Sequence, residues 1–151
     1  MSQGKLCIET SCCYIGVMKK PEYEDLQSDI REWKTLEIGT FRNIYSDREY
    51  EVRLSIPEFT CLCPRTGLPD FAVLQLTYVP NKYCVELKSF KEYTLAFRDK
   101  GIFHENVVNK IVEDVVKAVA PRRLRLEGIF HTRGGIQTTV VRSYCSENEQ
   151  P

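Results

Sequence analysis

From residue 50 onward, the order of hydrophobic and polar side chains first predicts a pair of β-strands. Residues 50–56 alternate in side-chain character and stop at Pro57, where a strand is expected to end. Residues 71–79 form the second predicted strand, which Pro80 and Asn81 close. Two strands this close in sequence favour a hairpin.

Two helices are predicted next. Residues 89–98 carry aromatic side chains at helical spacing, and residues 102–119 repeat apolar side chains on one helical face before Pro121. The apolar positions are Phe90, Tyr93 and Phe97 in the first segment, and Val107, Val108, Ile111, Val115 and Val119 in the second.

A second pair of strands follows, over residues 123–130 and 135–144, around a turn at residues 131–134. The order ββααββ predicts an α+β domain, a four-stranded antiparallel sheet with two helices on one face. Such a sheet has two open edges, which favour pairing with another copy of the chain.

The 151 residues fit one principal domain, which we place at residues 46–145. Residues 1–45 form a mixed N-terminal segment with a short helix considered at residues 22–33, and residues 146–151 form a C-terminal tail. No internal repeat interrupts the chain.

Charge and composition argue against several classes of protein. Lys+Arg and Asp+Glu both number 21, which argues against a nucleic-acid surface because such surfaces carry a basic excess. No run of 18 apolar residues and no signal-peptide pattern is present, so we expect a cytoplasmic protein without a membrane span. Seven cysteines is an odd number, which favours free thiols over a disulfide framework.

Cys61 and Cys63, in the stretch FTCLCPRTGLPD, allow three interpretations. A zinc site wants four ligands, but this C-x-C has no partner pair, so no metal is expected. Both cysteines could simply pack as small hydrophobic side chains. Alternatively, Cys63 could be a nucleophile where the strand breaks at Pro64, with Asp70 across a tight turn as its acid.

Three further stretches carry polar side chains that could complete a site. Each has an ordinary explanation as well: solvated lysines, a helix N-terminus that favours an acidic residue, a structural histidine, or a hairpin turn. The residues are Glu86, Lys88 and Lys91 in VELKSFKEY, His104 and Glu105 in FHEN, and Arg133 in HTRGG.

Together, the segments PEFTCLCPRTGLPDF, ELKSFK, FHEN and RGG resemble the NADPH-dependent 7-cyano-7-deazaguanine reductases (QueF) of queuosine biosynthesis. The resemblance covers residues 46–144, with the motifs in the family's order. ELKSFK separates the chain from related cyclohydrolases and amidinotransferases. Glu92 departs from the family, which has an aliphatic or aromatic residue there, and puts only the local packing in doubt.

The resemblance implies a chemistry for the site. Cys63 matches the nucleophile that forms a covalent thioimide with the nitrile, and Asp70 matches the acid that protonates its nitrogen. His104 would lie beside the reacting group as a further proton donor. Two hydrides from NADPH would then give the amine, with the protein supplying position and protons.

The resemblance also implies binding roles. Glu105 would accept hydrogen bonds from the guanine-like edge of 7-cyano-7-deazaguanine, and Glu86 would support this recognition. Lys88, Lys91 and Arg133 would hold the phosphates of NADPH. No G-x-G-x-x-G follows a strand, so a Rossmann site is not expected.

The implied fold is the tunnelling fold (T-fold), in which such sheets join edge to edge into a barrel. Short members of the family stack two rings of subunits, pentameric ones in our expectation, and their active sites lie between subunits. The predicted partners are therefore the nitrile substrate and further copies of this chain, with neither nucleic acid nor membrane.

Two other functions fit parts of the pattern. A thiol-dependent nitrile or amide hydrolase could use the same cysteine with water in place of hydride. A non-catalytic purine- or pterin-binding protein could use Glu105 as its anchor and would not need Cys63.

Overall fold

The computed structural model describes residues 37–146, so the helix considered at residues 22–33 lies outside the described part of the chain. None of the helices described there is long and apolar enough to cross a membrane. The elements, in chain order, are β1 (Thr40–Arg42), β2 (Val52–Leu62), β3 (Pro69–Val79), β4 (Tyr83–Val85), α1 (Leu87–Leu95), α2 (His104–Val119), β5 (Arg123–Phe130) and β6 (Thr139–Cys145).

The main sheet has the strand order β2-β3-β5-β6, and each neighbouring pair is antiparallel. With α1 and α2 on one face, this confirms the predicted α+β architecture and the order ββααββ for the main elements. Two short strands were not predicted: β1 and β4 pair antiparallel in a sheet of their own. The β1 strand lies within the predicted N-terminal segment.

The prediction that the first strand ends at Pro57 is wrong. Strand β2 continues to Leu62, and its pairing with β3 shifts register between Ile56 and Phe59. β2 is an edge strand of this sheet and therefore tolerates Pro57, whose missing N–H would break the hydrogen-bond ladder of an inner strand. The last strand also differs, because it starts at Thr139 rather than at residue 135.

The core lies between the helices and the sheet. Buried side chains of β3 and β5, such as Leu74 and Leu126, face the apolar side of α2. Gly128 makes this close approach possible, because a Cβ there would lie 2.8 Å from Cγ2 of Val108. The close packing fixes the N-terminus of α2, which carries His104, over the end of the sheet.

Candidate active site

Cys63 lies directly after the last residue of β2 and is partly exposed. Its backbone N–H donates to the Leu68 carbonyl at 2.8 Å, and its carbonyl accepts from the Gly67 N–H at 2.9 Å. The chain therefore makes a tight turn immediately after the thiol. The sulfur stands at the end of the sheet, as the break at Pro64 predicted.

Polar groups of this turn favour the thiolate of Cys63. Burial opposes the negative charge, but hydrogen bonds from the Thr66 hydroxyl and from the N–H groups of Arg65 and Thr66 outweigh it. The negative charge of Asp70 acts against them, yet the net effect lowers the pKa of Cys63. A partly exposed thiol with a lowered pKa has the properties of a nucleophile.

The pKa of Cys61 is shifted in the opposite direction, upward. Its side chain is fully buried in the hydrophobic core, and burial, together with the charge of Asp70, raises its pKa to about 12. Cys61 is thus a packing residue, which was one of the three interpretations that the sequence allowed for this cysteine. The two cysteines of the C-x-C stretch have separate roles in the structure.

Asp70 is buried near the start of β3, with 4% of its surface exposed. One carboxylate oxygen accepts a hydrogen bond from Nη1 of Arg133, and the other lies 3.3 Å from Nε2 of His104. A buried carboxylate needs such partners, because an unpaired charge in the interior is costly. Asp70, His104 and Arg133 therefore form one cluster, held by β3, α2 and the turn after β5.

His104 is the first residue of α2, and its imidazole stacks on the ring of Phe130 with 3.7 Å between ring centroids. This stacking fixes the ring so that Nε2 points to Asp70. Glu105 is the next residue and is exposed in the first turn of α2. Its carboxylate is accessible to a ligand, and its position agrees with the favourable field at a helix N-terminus.

Glu86 is the N-cap of α1. Its two carboxylate oxygens accept from the N–H groups of Lys88 and Ser89, both at 2.8 Å, and these hydrogen bonds lower its pKa. The cap fixes where the helix begins. Lys88 and Lys91 follow three residues apart on α1, and both side chains are exposed.

A groove of about 430 Å³ lies between the edge strand β2 and helix α1. Its floor is apolar, and Lys91, Arg53 and Arg98 bring three cations to its lining. Arg53 and Arg98 were not predicted as site residues, since isolated arginines on a strand and after a helix carry no motif. Glu58 also lines the groove, whose basic side chains outnumber the acidic ones, and within residues 37–146 the adjoining strand β2 pairs on one side only.

The structure brings together four of the eight predicted site residues at one end of the sheet, and the others are the N-cap of α1 and residues of α1 and α2. The first group is Cys63, Asp70, His104 and Arg133; the second is Glu86, Lys88, Lys91 and Glu105. Within residues 37–146, no group of three or more His, Cys, Asp or Glu side chains is placed to hold a metal ion. Thr66 was missed, because a threonine in a turn gives no catalytic signal in a sequence.

Comparison with known proteins agrees with the family resemblance of the sequence motifs. Residues 69–149 match the family model described as "QueF-like protein". The chain is 55% identical over 110 residues to the NADPH-dependent 7-cyano-7-deazaguanine reductase of Chloroherpeton thalassium, covering 73% of this chain and 95% of that protein. It is 57% identical over 104 residues to the protein of the same name from Nitrosospira multiformis, covering 69% of this chain and 75% of the relative.

A solved structure shares the fold. The archaeosine synthase QueF-Like, in its apo form, superimposes with a TM-score of 0.58 at 24% identity, over 62% of this chain and 91% of that one. At this identity the similarity concerns the fold, and it agrees with the predicted tunnelling fold.

Proposed function

Because the chain belongs to the QueF-like family, we propose that it is an NADPH-dependent reductase that converts 7-cyano-7-deazaguanine to 7-aminomethyl-7-deazaguanine in queuosine biosynthesis. The identity with reductases covers nearly the full length of the Chloroherpeton relative, so it is not confined to one motif. The observation that carries the proposal is the arrangement of Cys63 beside Asp70. A partly exposed thiol of lowered pKa there neighbours a buried carboxylate.

In the proposed reaction, the Cys63 sulfur attacks the electrophilic nitrile carbon. A carbon–sulfur bond forms, one π bond of the nitrile breaks, and the nitrogen takes a proton, which gives a covalent thioimide. The hydrogen bonds of the turn supply the thiolate in the free protein. Nucleophilic catalysis of this kind divides one difficult addition into easier steps.

Asp70 and His104 are the proposed proton donors. In this reaction Asp70 gives the proton to the nitrile nitrogen, and His104, 3.3 Å from Asp70, returns one to it. Arg133 donates a hydrogen bond to Asp70 in this structure, and this contact orients the carboxyl group that is the proposed acid.

Glu105 and Glu86 are the proposed substrate ligands. The exposed carboxylate of Glu105 can accept from both a ring N–H and an exocyclic amine, the pattern of a guanine edge. Glu86 already accepts one backbone N–H at each oxygen, but each oxygen has a second lone pair for the substrate. Its cap contacts would also keep the carboxylate in one orientation.

The residues fit NADPH, and each of two successive NADPH molecules would supply one hydride when bound. Lys88, Lys91 and Arg133 are the proposed phosphate ligands, and the groove next to Lys91 adds Arg53 and Arg98 as further cations. Phosphate oxygens suit such a donor set. Arg133 connects the two functions, because its guanidinium already lies on Asp70.

The proposed assembly is a homo-oligomer of stacked rings with active sites between subunits. Strands β2 and β6 form the two edges of the main sheet and could pair with further copies of the chain. The protein is proposed to act in the cytoplasm on the free base, without binding tRNA.

The test is incubation of the purified protein with 7-cyano-7-deazaguanine and NADPH. The proposal expects loss of NADPH absorbance with two cofactor molecules oxidised for each 7-aminomethyl-7-deazaguanine detected by mass spectrometry. An acid or amide product formed without NADPH would instead establish the hydrolase. Binding of the base with no turnover, unchanged in Cys63→Ala, would establish the non-catalytic binding protein.

A further inference from the structure

The chain between β5 and β6 reverses direction through a two-residue turn at Gly134 and Gly135. Arg133 and Ile136 flank this turn, and the carbonyl of each accepts the backbone N–H of the other at 2.9 Å. Gly134 has a φ of 55° and Gly135 a φ of 80°. Positive φ at both central residues is typical of a type I′ turn, which glycine adopts without strain. The turn therefore fixes the backbone of Arg133 within its hairpin.

The side chain of Arg133 extends from this turn to the buried carboxylate of Asp70. Nη1 of Arg133 donates a hydrogen bond to one carboxylate oxygen, and the other oxygen lies 3.3 Å from Nε2 of His104. The two partners come from different elements, since Arg133 follows β5 and His104 begins α2. Contacts on both oxygens fix the plane of the carboxyl group, because its rotation would break both of them.

The pair is close to the thiol that the proposed reaction uses. Cys61 pairs directly with Asp70 across the β2–β3 hairpin, and the N–H of Cys63 donates to the Leu68 carbonyl. Side chains two residues apart on a strand point to the same face, so Cys63 and Asp70 occupy diagonal positions on one face. Arg133 thus contacts the carboxyl group that neighbours the nucleophile.

An ion pair that only satisfies a buried charge would explain the contact without any part in the reaction. A role confined to the phosphates of NADPH, which the family resemblance gives to Arg133, would not involve Asp70. The addition of Cys63 to the nitrile offers a third role, because it precedes hydride transfer and uses the acid. In that step a carbon–sulfur bond forms, one π bond of the nitrile breaks, and the proton of Asp70 moves to the nitrogen.

We propose that Arg133 is a positioning residue for the nitrile addition. Held by the Gly134–Gly135 turn, its guanidinium orients the carboxyl group of Asp70 for proton transfer before NADPH takes part. The inference rests on the proposed function and gives Arg133 a role in a step that needs no cofactor. Loss of this orientation should slow the addition by about 10- to 100-fold, because a displacement of about 1 Å can cost a reaction up to about 100-fold.

The experiment measures adduct formation between the protein and 7-cyano-7-deazaguanine by intact mass, in quenched samples without NADPH. Nitrile affinity is measured separately in the Cys63→Ala background, where no adduct forms. Arg133→Ala should form the adduct about 10- to 100-fold more slowly, with nitrile affinity unchanged. Guanidinium chloride, well below the concentration that unfolds the protein, should restore part of the rate, whereas potassium chloride should not. The control Arg48→Ala, which removes an exposed arginine before β2, should keep the wild-type rate.

Two substitutions at Gly134 test the turn while Arg133 stays in place. A Cβ added at Gly134 would meet no atom of the described residues within 4 Å, so the substituted residue is limited by its φ alone. Asparagine tolerates a positive φ, and Gly134→Asn should therefore keep the turn and the adduct rate. Valine does not tolerate it, and Gly134→Val should slow adduct formation as Arg133→Ala does.

A wild-type adduct rate in Arg133→Ala, or a loss of nitrile affinity as large as the loss of rate, would overturn the inference. Full reductase activity in the wild type, with Arg133→Ala changed only in its KM for NADPH, would refute this inference and leave the proposed function intact. A wild-type protein that forms no adduct and oxidises no NADPH would refute the proposed function, and this inference with it.

Discussion

The substitution Asp70→Asn should have two opposite effects on the chemistry of Cys63. It removes a negative charge that opposes the thiolate, so the pKa of Cys63 should fall and the thiolate should become more abundant. It also removes the proposed proton donor to the nitrile nitrogen. The addition of the thiol should therefore become slower although the nucleophile is better ionised.

The magnitudes decide which effect dominates. Removing one nearby like charge changes a thiol pKa by about one unit, which at most raises the thiolate fraction about tenfold. A positioned general acid contributes about 10²- to 10⁴-fold. Adduct formation at neutral pH should thus fall by about 10- to 1,000-fold.

The assay combines two measurements on the same protein. Quenched samples of protein with 7-cyano-7-deazaguanine, without NADPH, give the adduct rate by intact mass, and alkylation over pH gives the pKa of Cys63. The matched control is Asp47→Asn, since Asp47 is an exposed aspartate with 70% of its side chain accessible. Wild-type adduct rates in Asp70→Asn, or nitrile binding weakened as strongly as the rate, would refute the acid role.

Three further predictions concern the groups around the site. Lys88→Ala and Lys91→Ala should raise the KM for NADPH and leave the nitrile affinity unchanged. The control is Lys117→Ala, which removes an exposed lysine of α2 and should change neither value. A fall in nitrile affinity in either of the first two variants would contradict the phosphate assignment. Glu86→Gln should lower the urea midpoint at neutral pH. Because the folded-state pKa of Glu86 lies below its ordinary 4.5, the difference should be complete above 4.5 and vanish as the pH falls through the folded value; a difference independent of pH would contradict the cap. Tyr93→Phe removes the 2.6 Å hydrogen bond to Asp114 and should cost about 1–2 kcal/mol of unfolding free energy by urea denaturation, with an unchanged stability as the contradicting result.

The sequence predicted the main architecture because hydrophobic period and turn residues are local signals. Strand β5 matches its predicted bounds, and α2 begins within two residues of the predicted start. Pro57 misled the prediction, since a proline ends a strand only where its N–H would be needed, and the edge position of β2 depends on the whole sheet. The short pairing of β1 with β4 was equally invisible, because three-residue strands carry no usable period.

Candidate site residues could be selected from the sequence, but their contacts could not be predicted from it. The resemblance selected Arg133 for cofactor phosphates, yet its guanidinium lies on Asp70, 63 positions away in the chain. Glu86 was selected for the substrate, and the structure shows in addition that it caps α1. Such contacts arise from tertiary packing, which no local pattern encodes.

The central claim is a covalent bond between Cys63 and the nitrile carbon, and intact-protein mass spectrometry tests it most directly. Wild-type protein mixed with 7-cyano-7-deazaguanine in the absence of NADPH should gain the full mass of the nitrile, and peptide mapping should place that mass on Cys63. Cys63→Ala should bind the base without gaining mass, whereas Cys145→Ala, which removes a partly exposed thiol at the end of β6, should gain it like the wild type. A wild-type protein that binds the nitrile and keeps its original mass would contradict the account.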